Sequence, residues 1–213
     1  MHRLAAYSCG GSPGFTPKFP FDPLIEEPLA FLLVYGASQA VNAEQIMAFT
    51  VVLGGARSGK SAYAQQEAER LGLGCIMIAT AEALDAEMHA RIVQHQAERG
   101  PQWRTVEAPV DLVKAISSLQ PGDVAVVDCL TLWVSNLLMR ERDINVESAA
   151  LEVALCKTPA TVWVVSNEVG WGIVPDNALA RQFRDVCGRL HQRLAKAADH
   201  AVLVVAGLPT QLK

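Results

Sequence analysis

Val51-Val-Leu-Gly-Gly-Ala-Arg-Ser-Gly-Lys-Ser61, "VVLGGARSGKS", decides how the chain is read. An apolar run ends at Gly54, and Gly54-x-x-x-x-Gly59-Lys60-Ser61 opens onto a helical pattern. That context gives a phosphate-loop motif its meaning. Glycines let successive backbone N–H groups curl around phosphate oxygens, and the following helix N-terminus adds a favourable dipole. Gly54, Gly55, Ala56, Arg57, Ser58, Gly59, Lys60 and Ser61 are therefore assigned to nucleotide binding. Lys60 is the catalytic cation reaching the outer phosphates, and the Ser61 hydroxyl is a ligand for Mg²⁺.

Working outward, short β-branched runs alternate with longer helical patterns. Strands are expected at Phe49–Leu53, Cys75–Ala79, Val124–Asp128, Thr161–Ser166 and Ala201–Ala206. Most are continuously apolar, as strands covered on both faces of a parallel sheet must be. Helices are expected at Lys60–Leu71, Leu84–Ala97, Asp111–Ser118, Thr131–Met139, Val146–Lys157 and Ala178–Ala198. The last carries Leu179, Phe183, Val186, Leu190, Leu194 and Ala197 on one stripe behind Asp176 as N-cap. The fold class is α/β: a mostly parallel sheet flanked by helices. Val-Ala-Val-Val-Asp128 is an apolar strand ending in a carboxylate that can bind nucleotide-bound Mg²⁺. Taken alone, Asp128 reads rather as a cap for the helix near Thr131; beside a phosphate loop the metal role is favoured.

With 213 residues, 51% of them hydrophobic, and a formal charge of −4, the chain suits one soluble domain with an appendage. The mild acidity argues against general nucleic-acid binding. Cys9, Cys75, Cys129, Cys156 and Cys187 are scattered and never spaced C-x-x-C, which points to a reducing compartment without structural zinc. Residues 1–46 differ from the rest: five of the eleven prolines fall between Pro13 and Pro28. Leu29–Tyr35 is too short for a bilayer span and follows Glu26 and Glu27, where a signal peptide has basic residues. The expectation is that Met47 is the natural start, or that residues 1–46 are a loosely ordered extension, with a catalytic domain over 47–213.

Read together, "GGARSGKS" (54–61), "IATAEALDAEM" (78–88), "RIVQHQAERGPQWRTVEAP" (91–109), "VVDCLTLWVSNLL" (126–138), "VSNEVGWGIVP" (165–175), "ARQFRDVCGRLHQRLA" (180–195) and "AGLP" (206–209) resemble one family. It is the bifunctional adenosylcobinamide kinase / adenosylcobinamide-phosphate guanylyltransferase family of cobalamin (vitamin B12) biosynthesis. Residues 1–46 have no counterpart in it. The resemblance implies a RecA-like P-loop NTPase fold, a cytoplasmic homotrimer, and ATP and GTP as substrates with Mg²⁺. It also implies two reactions: phosphorylation of adenosylcobinamide, then GMP transfer from GTP through a GMP-histidine to give adenosylcobinamide-GDP.

The resemblance places the guanylylated histidine at His95, four residues after Arg91, with His89 as the lesser candidate. Imidazole is a competent nucleophile near neutral pH. By residue pattern alone, His95 also lies at the edge of a Leu84, Met88 and Ile92 packing stripe. His191 stands where the family usually has Asn and is not the nucleophile. Ala79, Thr80 and Ala81 match a nucleotide-contacting turn, Gln96, Ala97, Glu98 and Arg99 a guanine-nucleotide segment, and Glu107 a nucleotide-binding acidic position. On its own Glu107 reads as a solvated loop charge. Asn167, Glu168, Val169 and Gly170 end a strand where α/β sheets place ligands. Trp171 and Gly172 either wall the corrin or cover the core or a subunit contact, and Arg181 and Arg184 are phosphate or plain surface arginines. A single-function small-molecule kinase and a nucleotide-binding regulatory protein remain as alternatives.

Overall fold

The computed structural model describes residues 48–71, 74–83, 93 and 99–213. In chain order the elements are β1 (Phe49–Gly54), α1 (Lys60–Glu69), β2 (Cys75–Ala79), β3 (Trp103–Glu107), α2 (Leu112–Ser117), β4 (Val124–Asp128) and α3 (Leu130–Met139). There follow α4 (Ile144–Lys157), β5 (Thr161–Asn167), α5 (Ala178–Ala197), β6 (His200–Val205) and β7 (Leu208–Gln211). One sheet runs β3-β2-β4-β5-β1-β6-β7, parallel throughout except for β7, which pairs antiparallel with β6.

All five expected strands form, and the reason lies in burial. β1 and most of β4 and β5 are buried on both faces, so their side chains feed two cores. Val51, Ala125, Val127, Val162 and Val164 face α2, α3, α4 and α5 through Leu112, Trp133, Leu151 and Leu190. Val52, Val126, Trp163 and Val165 face the other way, onto Ala64 and Ala68 of α1. This alternation puts successive residues at each strand end on opposite sides of the sheet.

Two strands escaped the pattern reading. β3, Trp-Arg-Thr-Val-Glu, and β7, Leu-Pro-Thr-Gln, are the outermost strands and are largely exposed, so neither shows a continuous apolar run. Pro209 sits in β7, at the sheet edge where a missing N–H is tolerated. The expected helix Leu84–Ala97 lies outside the described residues apart from Val93, which is helical.

Cap assignments also shift. The N-cap of α5 is Asn177, whose side chain accepts from the Ala180 N–H at 3.1 Å, not Asp176. Leu179 is 58% exposed, because the buried stripe begins at Val186 and runs through Cys187, Leu190, His191 and Leu194. α4 starts two residues before the expected Val146, since Asp143 Oδ1 accepts from the N–H groups of Asn145 and Val146. Replacing Asn177 by Ala is expected to cost about 1 kcal/mol in urea denaturation, and Asp176→Ala well under half of that.

Candidate functional site

Parallel strands deliver their carboxyl ends to one edge, and here β4, β5 and β1 lie side by side. Gly54 ends β1 and pairs with Asn167; Asp128 ends β4 and pairs with Val165. By alternation Gly54, Asp128 and Asn167 all fall on the α1 side of the sheet, where the loop from Gly54 to Lys60 turns into α1. The three functional segments meet there for that reason.

The loop has little latitude. A Cβ on Gly54 would lie 2.4 Å from Ser58 Oγ and 2.5 Å from the Val204 carbonyl oxygen. Gly59, the N-cap of α1, has φ +93°, and Arg57 has φ 57°. No side chain caps α1, so its first amides remain available to an anion. The Ser58 N–H bonds the Gly55 carbonyl at 3.2 Å, and the Gly207 N–H holds the Ser58 carbonyl at 2.8 Å from the β6–β7 turn. Ala206 and Gly207 both have positive φ in that turn, the geometry a two-residue hairpin requires.

Lys60 is only 7% exposed, and its Nζ donates to the Gly55 carbonyl oxygen at 3.1 Å. Burial pushes its ammonium pKa down, while Asp128 and then Cys129 pull it back up. The ammonium and the Asp128 carboxylate therefore act on each other across the loop. Ser58 Oγ is buried with no hydrogen-bond partner among the described residues, a donor still to be satisfied. Asp128 does not cap α3; Cys129 occupies that position, which removes the capping explanation for the carboxylate. The Asp128–Cys129 peptide bond is cis.

Sequence reasoning placed Thr80 as a nucleotide contact. Its side chain is wholly buried, and its hydroxyl donates to the Cys129 carbonyl at 2.7 Å and accepts from the Cys129 N–H at 2.8 Å. Thr80 thus splices β2 to the residue after Asp128. Asn136, absent from the sequence-based site, reinforces the splice by donating to the carbonyls of Thr80 (2.8 Å) and Pro109 (2.9 Å). Ala79 and Ala81 are half-buried on either side, and Glu107 at the end of β3 is exposed. Arg99 donates to Thr105 Oγ1 at 3.0 Å, while its Nε is buried without a partner among the described residues. Burial lowers its pKa and Asp128 raises it, so Arg99 stands within electrostatic reach of the same carboxylate.

Asn167 donates to Thr131 Oγ1 at 2.7 Å, and Thr131 Oγ1 lies 3.0 Å from Cys129 Sγ. These contacts join β5 to the start of α3 beside Asp128. Trp171 is exposed, Ile173 is 97% exposed, and Val174 is exposed with them on the connection from β5 to α5. Trp171 therefore does not cover the core. Arg181 donates to the carbonyls of Pro175 and Asp176, and Arg184 pairs with Asp185. Both arginines serve their own surface. His89, His95, Gln96, Ala97 and Glu98 lie outside the described residues. No cluster of three or more His, Cys, Asp or Glu side chains able to hold a metal occurs among the described residues. Thr80→Val, which leaves the Cys129 N–H and C=O short of a partner, is expected to destabilise the protein by about 1–3 kcal/mol in chemical denaturation. Thr80→Ser should remain close to wild type.

Comparison with known proteins matches the sequence to a family. The chain is 43% identical over 166 residues to the bifunctional adenosylcobalamin biosynthesis protein CobP of Pseudomonas aeruginosa, covering 76% of this chain and 96% of that protein. It is 42% identical over 182 residues to the bifunctional adenosylcobalamin biosynthesis protein CobU of Salmonella typhimurium, covering 76% and 98%. Among solved structures, the RadB recombinase aligns over 74% of each chain at 15% identity with a TM-score of 0.46. Residues 50–212 match the family CobU, described as cobinamide kinase / cobinamide phosphate guanyltransferase. With that match spanning all of the sheet but Phe49, and its phosphate loop, the chain belongs to this family.

Proposed function

We propose that the protein catalyses two consecutive transfers at one phosphate loop in cobalamin biosynthesis. In the first, the side-chain hydroxyl of adenosylcobinamide attacks the γ-phosphorus of ATP or GTP. The γ-phosphorus bond to the β-bridging oxygen breaks, the nucleoside diphosphate leaves, and the hydroxyl proton is released. In the second, the imidazole of His95 attacks the α-phosphorus of GTP and expels pyrophosphate. An oxygen of adenosylcobinamide phosphate then attacks the same phosphorus, the P–N bond breaks, and adenosylcobinamide-GDP forms as the imidazole is restored. The observation that carries this reading is the family match over residues 50–212, which takes in the loop built around Lys60.

The residues fit their roles. Lys60 Nζ, held on the Gly55 carbonyl, is placed to exchange that oxygen for phosphate oxygens. Arg99, with an unpartnered buried Nε near Asp128, is a second cation for the triphosphate. Asp128, released from any capping duty, and the Ser61 hydroxyl are oxygen donors on the same side of the sheet. That sparse set suits Mg²⁺, which keeps waters and substrate phosphates as its other ligands. When bound, Mg²⁺ neutralises charge on the triphosphate. Ala79, Ala81, Gln96, Ala97, Glu98 and Glu107 complete the proposed nucleotide surface, while Thr80 contributes by holding it.

The exposed Trp171, Ile173 and Val174 lie on the connection that leaves the sheet at Glu168, whose N–H bonds the Gly54 carbonyl at 2.9 Å. They suit the apolar face of a corrin ring. Trp171→Ala is expected to raise KM for cobinamide about tenfold with kcat nearly unchanged, as loss of uniform binding requires. No described helix is long and apolar enough to cross a membrane. We place the enzyme in the cytoplasm as a homo-oligomer, a trimer by family resemblance, with no nucleic-acid partner. Residues 1–46 are assigned to an extension outside the catalytic domain.

The reading is tested by where the label goes. GTP labelled at the α-phosphate should give an acid-labile, base-stable protein adduct in the absence of cobinamide, GTP labelled at the γ-phosphate none, and His95→Ala no adduct. Cobinamide phosphorylation without any adduct would reduce the protein to a simple kinase. GTP binding with neither activity would leave a nucleotide-binding regulator.

A further inference from the structure

The longest helix buries an imidazole where the packing stripe could hold an aliphatic side chain. His191 of α5 is almost fully enclosed, with Nε2 2.7 Å from Ser166 Oγ and Nδ1 3.7 Å from Glu168 Oε2. Ser166 and Glu168 are two apart along β5 and its extension, so both point to the α5 side and the ring spans them. Glu168 is anchored twice more: its N–H bonds the Gly54 carbonyl, and its Oε1 accepts from the Gly170 N–H at 2.7 Å. Gly54 is the residue from which the phosphate loop springs.

We propose that His191 is a positioning residue for the phosphate-binding site, acting through Glu168 and Ser166 to fix the end of β5 and the Glu168–Gly170 turn against Gly54. Glu168 lies on the face of the sheet opposite Lys60 and Asp128, so it braces the loop from behind rather than touching nucleotide.

Hydrogen-bond economy assigns the protons. Nε2 accepts from the Ser166 hydroxyl, and Nδ1 carries the proton and turns it toward the Glu168 carboxylate. At 3.7 Å that second contact is electrostatic rather than a hydrogen bond, and Nδ1 has no other partner among the described residues. Protonating the ring would put a second N–H on Nε2 against the Ser166 hydrogen and force the wholly buried hydroxyl to turn away. Burial opposes that protonation and holds the imidazole pKa below its ordinary value of 6.5, with Glu168 the opposing influence. Cys187, one turn earlier on α5, stays neutral: burial, Cys129 and Glu168 push its thiol up to about 12. Glu168 is therefore the charge that acts on the ring. The sign follows: with its folded pKa depressed, His191 leaves the native state undisturbed above pH 6.5 and works against it as pH falls through the folded value.

The test is GTP binding to the full chain, with Mg²⁺, by calorimetry at pH 7.5 and across pH 5.5–7.5. His191→Leu fills the space without orienting Glu168, and His191→Gln reaches only toward Ser166. Both are expected to weaken GTP binding about five- to tenfold at pH 7.5. His191→Asn restores an N–H donor at the Nδ1 position and should recover most of the affinity. The wild type should lose affinity on acidification more steeply than His191→Asn, since the ionisation of GTP itself is common to both and cancels. His191→Leu and Glu168→Gln combined should be no weaker than the worse single variant. If His191→Leu does not fold, the pH comparison with His191→Asn decides alone. GTP affinities within twofold of wild type for every folded variant, with identical pH profiles, would overturn the inference. The inference rests on the loop binding nucleotide: a wild type that fails to bind GTP overturns that reading instead.

Discussion

Everything at the functional edge of the sheet hangs on the absence of a side chain at Gly54. Its Cα faces Ser58 Oγ and the Val204 carbonyl at distances that exclude a methyl group. Its carbonyl accepts from Glu168. Because the loop can close so tightly there, the Gly207 N–H reaches the Ser58 carbonyl and α1 starts at Lys60 with its first amides uncapped. A larger residue would have to push the loop off β6 or off its own serine, and the Lys60 contact with the Gly55 carbonyl would go with it. The doubly buried sheet beneath makes the edge stiff enough for such small tolerances to matter.

The two site cations share the influence of one carboxylate, Asp128. Asp128 raises the pKa of both Lys60 and Arg99 against the effect of burial. It offsets the buried Lys60 ammonium and the half-buried Arg99 guanidinium. In the proposed reactions incoming phosphate would replace that compensation with a stronger one, since charge-assisted hydrogen bonds to phosphate oxygens are shorter and stronger than the Lys60 contact with a neutral carbonyl. Cys129 and Thr80 hold the carboxylate's strand end in place, and Asn136 and Asn167 secure the two sides of that arrangement.

The parts of this arrangement that could be read from sequence are those written locally. Gly54 to Ser61 carry a motif, and β1, β4 and β5 carry unbroken apolar runs because both of their faces are covered. β3 and β7 carry no such mark: edge strands with exposed faces look like loops, and Pro209 reinforces the impression. The supporting contacts were not legible for a different reason. Thr80 meets Cys129 across 49 residues, Asn136 meets Thr80 across 56, and His191 meets Ser166 across 25. No periodicity or spacing encodes which strand end a distant polar side chain will reach; only the completed sheet order brings them together. Thr80 shows the consequence, since nothing in its sequence neighbourhood indicates that its hydroxyl splices β2 to Cys129.

The central claim is that one loop serves both transfers, and parallel assays on Lys60→Ala test it most directly. The account predicts that the variant, folded and with wild-type thermal stability or better, loses cobinamide phosphorylation and protein guanylylation from GTP together, each by at least about a hundredfold. Retention of guanylylation at wild-type rate alongside loss of the kinase activity would contradict it and require a second nucleotide site.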